Sequence, residues 1–294
     1  MKIDLSYDYL DRVRRAVAFY TKRKTSDLLE GDYSSMQHGR SLDFDDLREY
    51  RPGDDINYID WKSSSRVGKT LVRRYFADRK HDVIFVGDTG TKMTGDTPAG
   101  ESKEQIALMA FGVAAYLMGK QGVNYALSYC GSGNRRISSF LSSPMHLEEL
   151  LYGYKEAIES GEPRQSFYQT LSDTASVFTR HMVMVIITDA EGLAELDMEL
   201  VRRLIYCNDV YIIKIEDALL TSDNAYDLDA GVLADPFLAL CRDLREEERK
   251  MKEDLDRTAE HLLTPNRVFF RSVSREEEIV DVLIALFGMR KGTV

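Results

Sequence analysis

Apolar positions along the chain follow two rhythms. From Tyr9 to Tyr20, Leu10, Val13, Val17 and Tyr20 recur at steps of three and four with Ala16 beside them, which predicts an amphipathic helix. Val67 to Phe76 alternates and is rich in β-formers, so it predicts a strand. After His81 short apolar runs alternate with helical stretches. Strands are expected at Val83–Gly87, Val123–Cys130, Met182–Thr188, Val210–Ile215 and Val268–Phe270, with Ile137–Leu141 pairing as a hairpin. Helices are expected over Gln105–Met118, Met145–Glu159, Tyr168–Phe178, Leu196–Tyr206, Pro236–Leu263 and Glu276–Phe287. This alternation predicts an α/β fold, a mostly parallel sheet with helices on both faces. Ligands of such sheets bind outside the carboxyl ends of the strands, near the switch point of the strand order. Asp88 and Asp189 each stand at such an end.

The pattern divides the chain at His81. Residues 1–80 are expected to form a small helix, turn and hairpin unit, and residues 81–294 the α/β domain. Glu216 to Asp235 has no clear period and is long for a loop, so it predicts a small hairpin or a functional excursion. In the first part, Arg51-Pro52-Gly53-Asp54-Asp55 reads as a turn, because Pro52 presets φ and Gly53 supplies a positive φ. Ile56 to Trp61 follows as a short strand or helical turn with Ile59 and Trp61 as anchors. Arg48 and Arg66 lie close to Asp54, Asp55 and Asp60, near enough to form Arg–carboxylate pairs that fix an irregular loop. Asp60, Trp61 and Arg66 are expected to brace that loop, leaving Asp54 and Asp55 at its tip for partner contact.

Charge narrows the function. The 294-residue chain carries a net charge of −10 and a pI near 5.1, which argues against nucleic acid as the main partner. Its 3 cysteines are widely spaced and form no metal pair or disulfide framework. No apolar run approaches the roughly 18 residues that span a bilayer, and the first residues lack a secretory pattern. A cytoplasmic protein without direct membrane insertion is expected.

Three catalytic motifs are approached and missed. Asp88-Thr89-Gly90-Thr91 matches the loop of aspartic proteases, but those are all-β and this loop lies among helices. Gly68-Lys69-Thr70 ends like a phosphate-binding loop, yet Ser63 stands where the first glycine is required. No Gly-x-Ser-x-Gly occurs, and His38, His81, His146, His181 and His261 show no ligand spacing.

Arg48-x-Tyr50-x-Pro52-Gly53-Asp54-Asp55, followed by Ile59-Asp60-Trp61 and Arg66, resembles the signature of the domain-of-unknown-function 58 family. The chain departs from it at Gly39-Arg40-Ser41-Leu42-Asp43-Phe44 and at Asn57. The resemblance implies a von Willebrand factor A-like, Rossmann-like domain and a non-enzymatic interaction module. The implied partners are a MoxR-type AAA+ ATPase, since the two are commonly encoded side by side, and a client complex that the pair assembles or activates. It also implies a metal-ion-dependent adhesion site, in which Asp-x-Ser-x-Ser, a second-loop hydroxyl and a distant Asp hold Mg²⁺. Here Asp88, Ser166 and Asp189 match that set, with Thr170 a weaker choice for the hydroxyl. Gly90 and Lys92 replace both serines. The site is therefore expected to be degenerate, with no cofactor, the Lys92 ammonium standing in for Mg²⁺ near Asp88 and Asp189 and receiving a partner carboxylate directly. The alternative is a metal-dependent hydrolase using Asp88 and Asp189.

Overall fold

A computed structural model describes residues 8–23, 44–51, 59–75, 82–131, 135–161, 165–178, 180–219, 221, 226–227, 232–233 and 242–288. Helix α1 (Asp8–Arg23) comes first. Strand β1 (Phe44–Glu49), helix α2 (Trp61–Val67) and strand β2 (Leu71–Tyr75) follow. Contacts group residues Tyr33–Lys80 as one compact unit and Met1–Asp32 with His81–Val294 as another. The first helix, which the sequence pattern groups with the turn block, thus packs in the larger unit. Its apolar stripe explains this, since Val13 and Val17 are buried and Val13 fits where Gly112 has no side chain.

In the smaller unit β1 and β2 pair antiparallel, with Arg48 opposite Val72. Helix α2 is set by its caps rather than by periodicity. Asp60 accepts a bond from the Ser63 amide at 3.0 Å, and Gly68 closes the helix at φ 73°, a left-handed conformation that favours glycine. The predicted strand therefore starts at Leu71, after a helix that the pattern did not show.

The larger unit is built on a six-stranded sheet of order β10-β7-β6-β3-β4-β5. Its strands are β3 (Val83–Gly87), β4 (Tyr125–Cys130), β5 (Arg135–Ile137), β6 (Met182–Asp189), β7 (Asn208–Ile215) and β10 (Phe269–Val273). All pairings are parallel except β4 with β5 at one edge. Every residue of β3, β4 and β6 is buried, as expected for strands covered on both faces. The helices are α3 (Lys103–Lys120), α4 (Pro144–Ser160), α5 (Phe167–Val177), α6 (Ala190–Ala194), α7 (Met198–Ile205), α8 (Arg242–Leu263) and α9 (Ile279–Gly288). The expected single helix at Leu196–Tyr206 is thus preceded by a separate short turn of helix, α6. A two-residue ladder, β8 (Tyr226–Asp227) with β9 (Val232–Leu233), occupies part of the predicted excursion.

Ion pairs anchor α8 where its apolar content is low. Lys214, buried on β7, places its ammonium 2.6 Å from Asp256 of α8 and 2.9 Å from Glu216. Among the described residues, no helix is long and apolar enough to cross a membrane.

Candidate functional site

The strand order reverses between β3 and β6, so their carboxyl ends flank the switch point. Asp88 follows β3, and its amide donates to the Ile187 carbonyl at 2.9 Å, which continues the β3–β6 ladder. Asp189 closes β6. Both carboxylates are almost fully buried, and they border a cleft of ≈ 600 Å³.

Their oxygens are already engaged. Asp88 Oδ1 accepts from the Gly90 amide at 3.0 Å, and Oδ2 accepts from Thr188 Oγ1 at 2.7 Å. Asp189 caps α6, its Oδ1 accepting from the Gly192 amide at 2.9 Å. Two ammoniums complete the set. Lys92, on the 3-10 turn Thr91–Thr94, lies 3.3 Å from Asp88 Oδ2, 3.7 Å from Asp189 Oδ1 and 3.4 Å from Glu195 Oε1. Lys103, in the first turn of α3, donates to Asp189 Oδ2 at 2.7 Å and to Asp217 Oδ1. Asp217 in turn accepts from the Ala190 amide at 3.3 Å.

Burial and charge act against each other here. Desolvation dominates at Asp88 and pushes its carboxyl above the ordinary 3.8, although Lys92 opposes the change. At Asp189 burial also favours the neutral acid, but Lys103 and Lys92 together outweigh it and hold the carboxyl below 3.8. Burial disfavours the Lys92 cation, yet Asp88, Asp189, Glu195 and Glu191 prevail and raise its pKa. Glycines let these groups approach. A Cβ at Gly192 would overlap Thr188 Oγ1 and stand 2.8 Å from Asp88 Oδ2.

This donor set does not fit Mg²⁺. A hard divalent ion needs free carboxylate and hydroxyl oxygens, whereas here the Lys92 ammonium stands between Asp88 and Asp189 and the Lys103 ammonium takes the second oxygen of Asp189. Among the described residues, no group of three or more His, Cys, Asp or Glu is placed to hold a metal ion. Ser166 lines the cleft, but its side chain caps α5, accepting from the Gln169 amide at 3.2 Å. Thr170, buried one turn on, also lines the cleft. Gly90 contributes only its amide. Lys92 lies beside both Asp88 and Asp189, and Glu195 shares its charge as well.

The sequence reading missed Lys103 and Asp217. Two signals were present. A lysine in the first turn of an apolar helix opposes the helix dipole unless acids surround it. Asp217 lies just past the end of β7, a third carboxylate at a strand end.

The signature residues lie apart from this cleft in sequence and belong to the smaller unit. Asp60 caps α2, and the Tyr50 amide donates to the Thr70 carbonyl at 2.9 Å. Trp61, expected as an anchor, is instead 67% exposed, because its place at the start of α2 turns it outward. Arg66 is exposed in the last turn of the same helix. The backbone of Arg48 lies on β1, while its side chain and Pro52, Gly53, Asp54 and Asp55 lie outside the described residues.

The family model described as "Protein of unknown function DUF58" matches residues 46–228, more than half of the chain and across both units. The chain belongs to the DUF58 family. Curated relatives include the uncharacterized proteins Rv1480 of Mycobacterium tuberculosis and Mb1516 of Mycobacterium bovis, each 27% identical over 114 residues. That match covers 39% of this chain and 36% of each relative, so the chain spans about a third of their length. Among solved structures, the DUF58 chain is similar to an aerotolerance-related membrane protein from Bacteroides fragilis, with a TM-score of 0.40 and 11% identity. That alignment covers 70% of this chain and 98% of the other. The chain is also similar to the SpRpn10 VWA domain, with a TM-score of 0.33, 11% identity, and 70% and 94% of the two chains covered. A von Willebrand factor type A protein from Catenulispora acidiphila gives a TM-score of 0.35 at 10% identity, with 74% and 43% covered.

Proposed function

We propose that this DUF58 protein is a non-enzymatic interaction module that docks partners at the strand-end cleft through a degenerate, metal-independent adhesion site. The observation that carries this reading is the pairing of Lys92 and Lys103 with Asp88 and Asp189. Carboxylates held in this way form a fixed, charge-paired floor to the cleft, and neither is free to coordinate a metal without breaking a buried pair. The family resemblance supplies the partner, a MoxR-type AAA+ ATPase that works with the module on a client complex. Affinity purification of the tagged full chain from its native cell tests this. Recovery of an AAA+ ATPase supports the reading, and its absence under crosslinking counts against it.

A hydrolase using Asp88 and Asp189 is the second reading; the raised pKa of Asp88 in a cleft suits acid–base chemistry and favours it, while the misfit with Mg²⁺ tells against its metal-dependent form. A hydrolase panel with and without Mg²⁺ separates the two. Turnover that Asp88→Asn abolishes would replace the docking reading.

A further inference from the structure

The cleft has more negative than positive charge, and its lysines are already bonded. Lys92 and Lys103 together serve four carboxylates, those of Asp88, Asp189, Glu195 and Asp217. Exposed Asp96 and Glu191 add two more on the cleft wall, where Glu248 accepts from the amide and hydroxyl of Thr221 and the Lys252 ammonium donates to the Asp217 and Ala218 carbonyls. Gln165, also lining the cleft, donates through Nε2 to Asp173 at 3.4 Å but leaves Oε1 buried without a donor. An incoming carboxylate would meet ammoniums that are already engaged, by carboxylates at Lys92 and Lys103 and by backbone carbonyls at Lys252, and a surplus of like charge. An incoming cation would meet the partly exposed carboxylates of Glu195 and Asp217 and the exposed ones of Asp96 and Glu191.

We infer that the partner group received by this cleft is a basic side chain, an arginine in particular, and not the acidic residue that an adhesion site of this type would take. A guanidinium is planar, weakly hydrated and rich in donors, so it can bridge two carboxylates where a lysine presents a single point charge. The volume of ≈ 600 Å³ admits a side chain of that length. The inference rests on the docking reading above and specifies the chemistry of its occupant.

Titration of the isotope-labelled full chain with N-acetyl-arginine amide, and in parallel with N-acetyl-aspartate amide, followed by nuclear magnetic resonance, tests it. The arginine probe is expected to shift the amides of Gly90, Ala190 and Gly192 to saturation. Glu191→Gln combined with Asp96→Asn, both exposed and so compatible with folding, is expected to weaken that binding at least about threefold. If only the aspartate probe moves those amides, the basic-partner inference falls and docking at this cleft stands. If neither probe moves them, or arginine shifts are scattered and indifferent to the double substitution, the inference also falls, and the docking reading is then decided by the purification.

Discussion

The ammonium of Lys103 lies 2.7 Å from Asp189 Oδ2, joining the first turn of α3 to the carboxyl end of β6 across 86 residues of sequence. Both groups are nearly fully buried, so neither is solvated without the other. Removing one partner of a buried pair leaves an uncompensated charge, at a cost of about 3–5 kcal/mol. Lys103→Met should lower the unfolding free energy in urea by that order. Adding Asp189→Asn to Lys103→Met should cost at least about 1 kcal/mol less than the sum of the two single changes. Strict additivity would mean that the pair is not coupled.

The two aspartates should give stability profiles of opposite slope. Asp189 has a folded pKa below its ordinary 3.8, so its contribution is present above that value and is lost as pH falls through the lowered one. Asp88 is raised, so the folded protein holds its proton more tightly than the unfolded chain, and stability declines as pH rises from 3.8 through the raised value. Denaturation of the parent, Asp189→Asn and Asp88→Asn from neutral pH down to below 3.8 reads both effects. The parent's advantage over Asp189→Asn should shrink on acidification, and its standing against Asp88→Asn should improve.

Lys92 extends the pH argument to the alkaline side. Its raised pKa means that its stabilisation is complete below the ordinary 10.5 and is lost as pH rises through the raised value. Lys92→Met should therefore be less stable than the parent at neutral pH and should converge with it in strong alkali. A gap that persists unchanged would assign the role of Lys92 to packing.

Gly192→Ala tests the close approach that assembles the site. The added methyl would overlap Thr188 Oγ1, whose hydroxyl supports Asp88. Overpacking of this kind costs about 1–3 kcal/mol. A drop in melting temperature without loss of fold is expected, and a neutral result would show that Thr188 can turn aside freely.

Trp61 is the only tryptophan, so fluorescence reports on it directly. With 67% exposure, its emission should be that of a solvated indole and readily quenched by acrylamide. Blue-shifted, protected emission would restore the anchor role that the sequence suggested.

The sheet was legible because β3 and β6 are continuous apolar runs ending in acids, a pattern that burial on both faces dictates. The strand-end rule then led to Asp88 and Asp189. Helix α2 was not legible, since Trp61–Val67 is polar and aperiodic and exists because Asp60 and Gly68 cap it. Lys103 and Asp217 escaped for a different reason. Their partnership with Asp189 depends on how the topology brings α3 and the end of β7 together, which sequence spacing does not encode.

The metal-independent docking reading rests on the Lys92 ammonium, which lies within reach of both Asp88 and Asp189, where a bridging divalent ion would have to sit. Calorimetric titration of Mg²⁺ into the full chain at neutral pH tests it most directly. No stoichiometric binding heat is expected, and tight binding of one Mg²⁺ per chain would overturn the metal-independent reading.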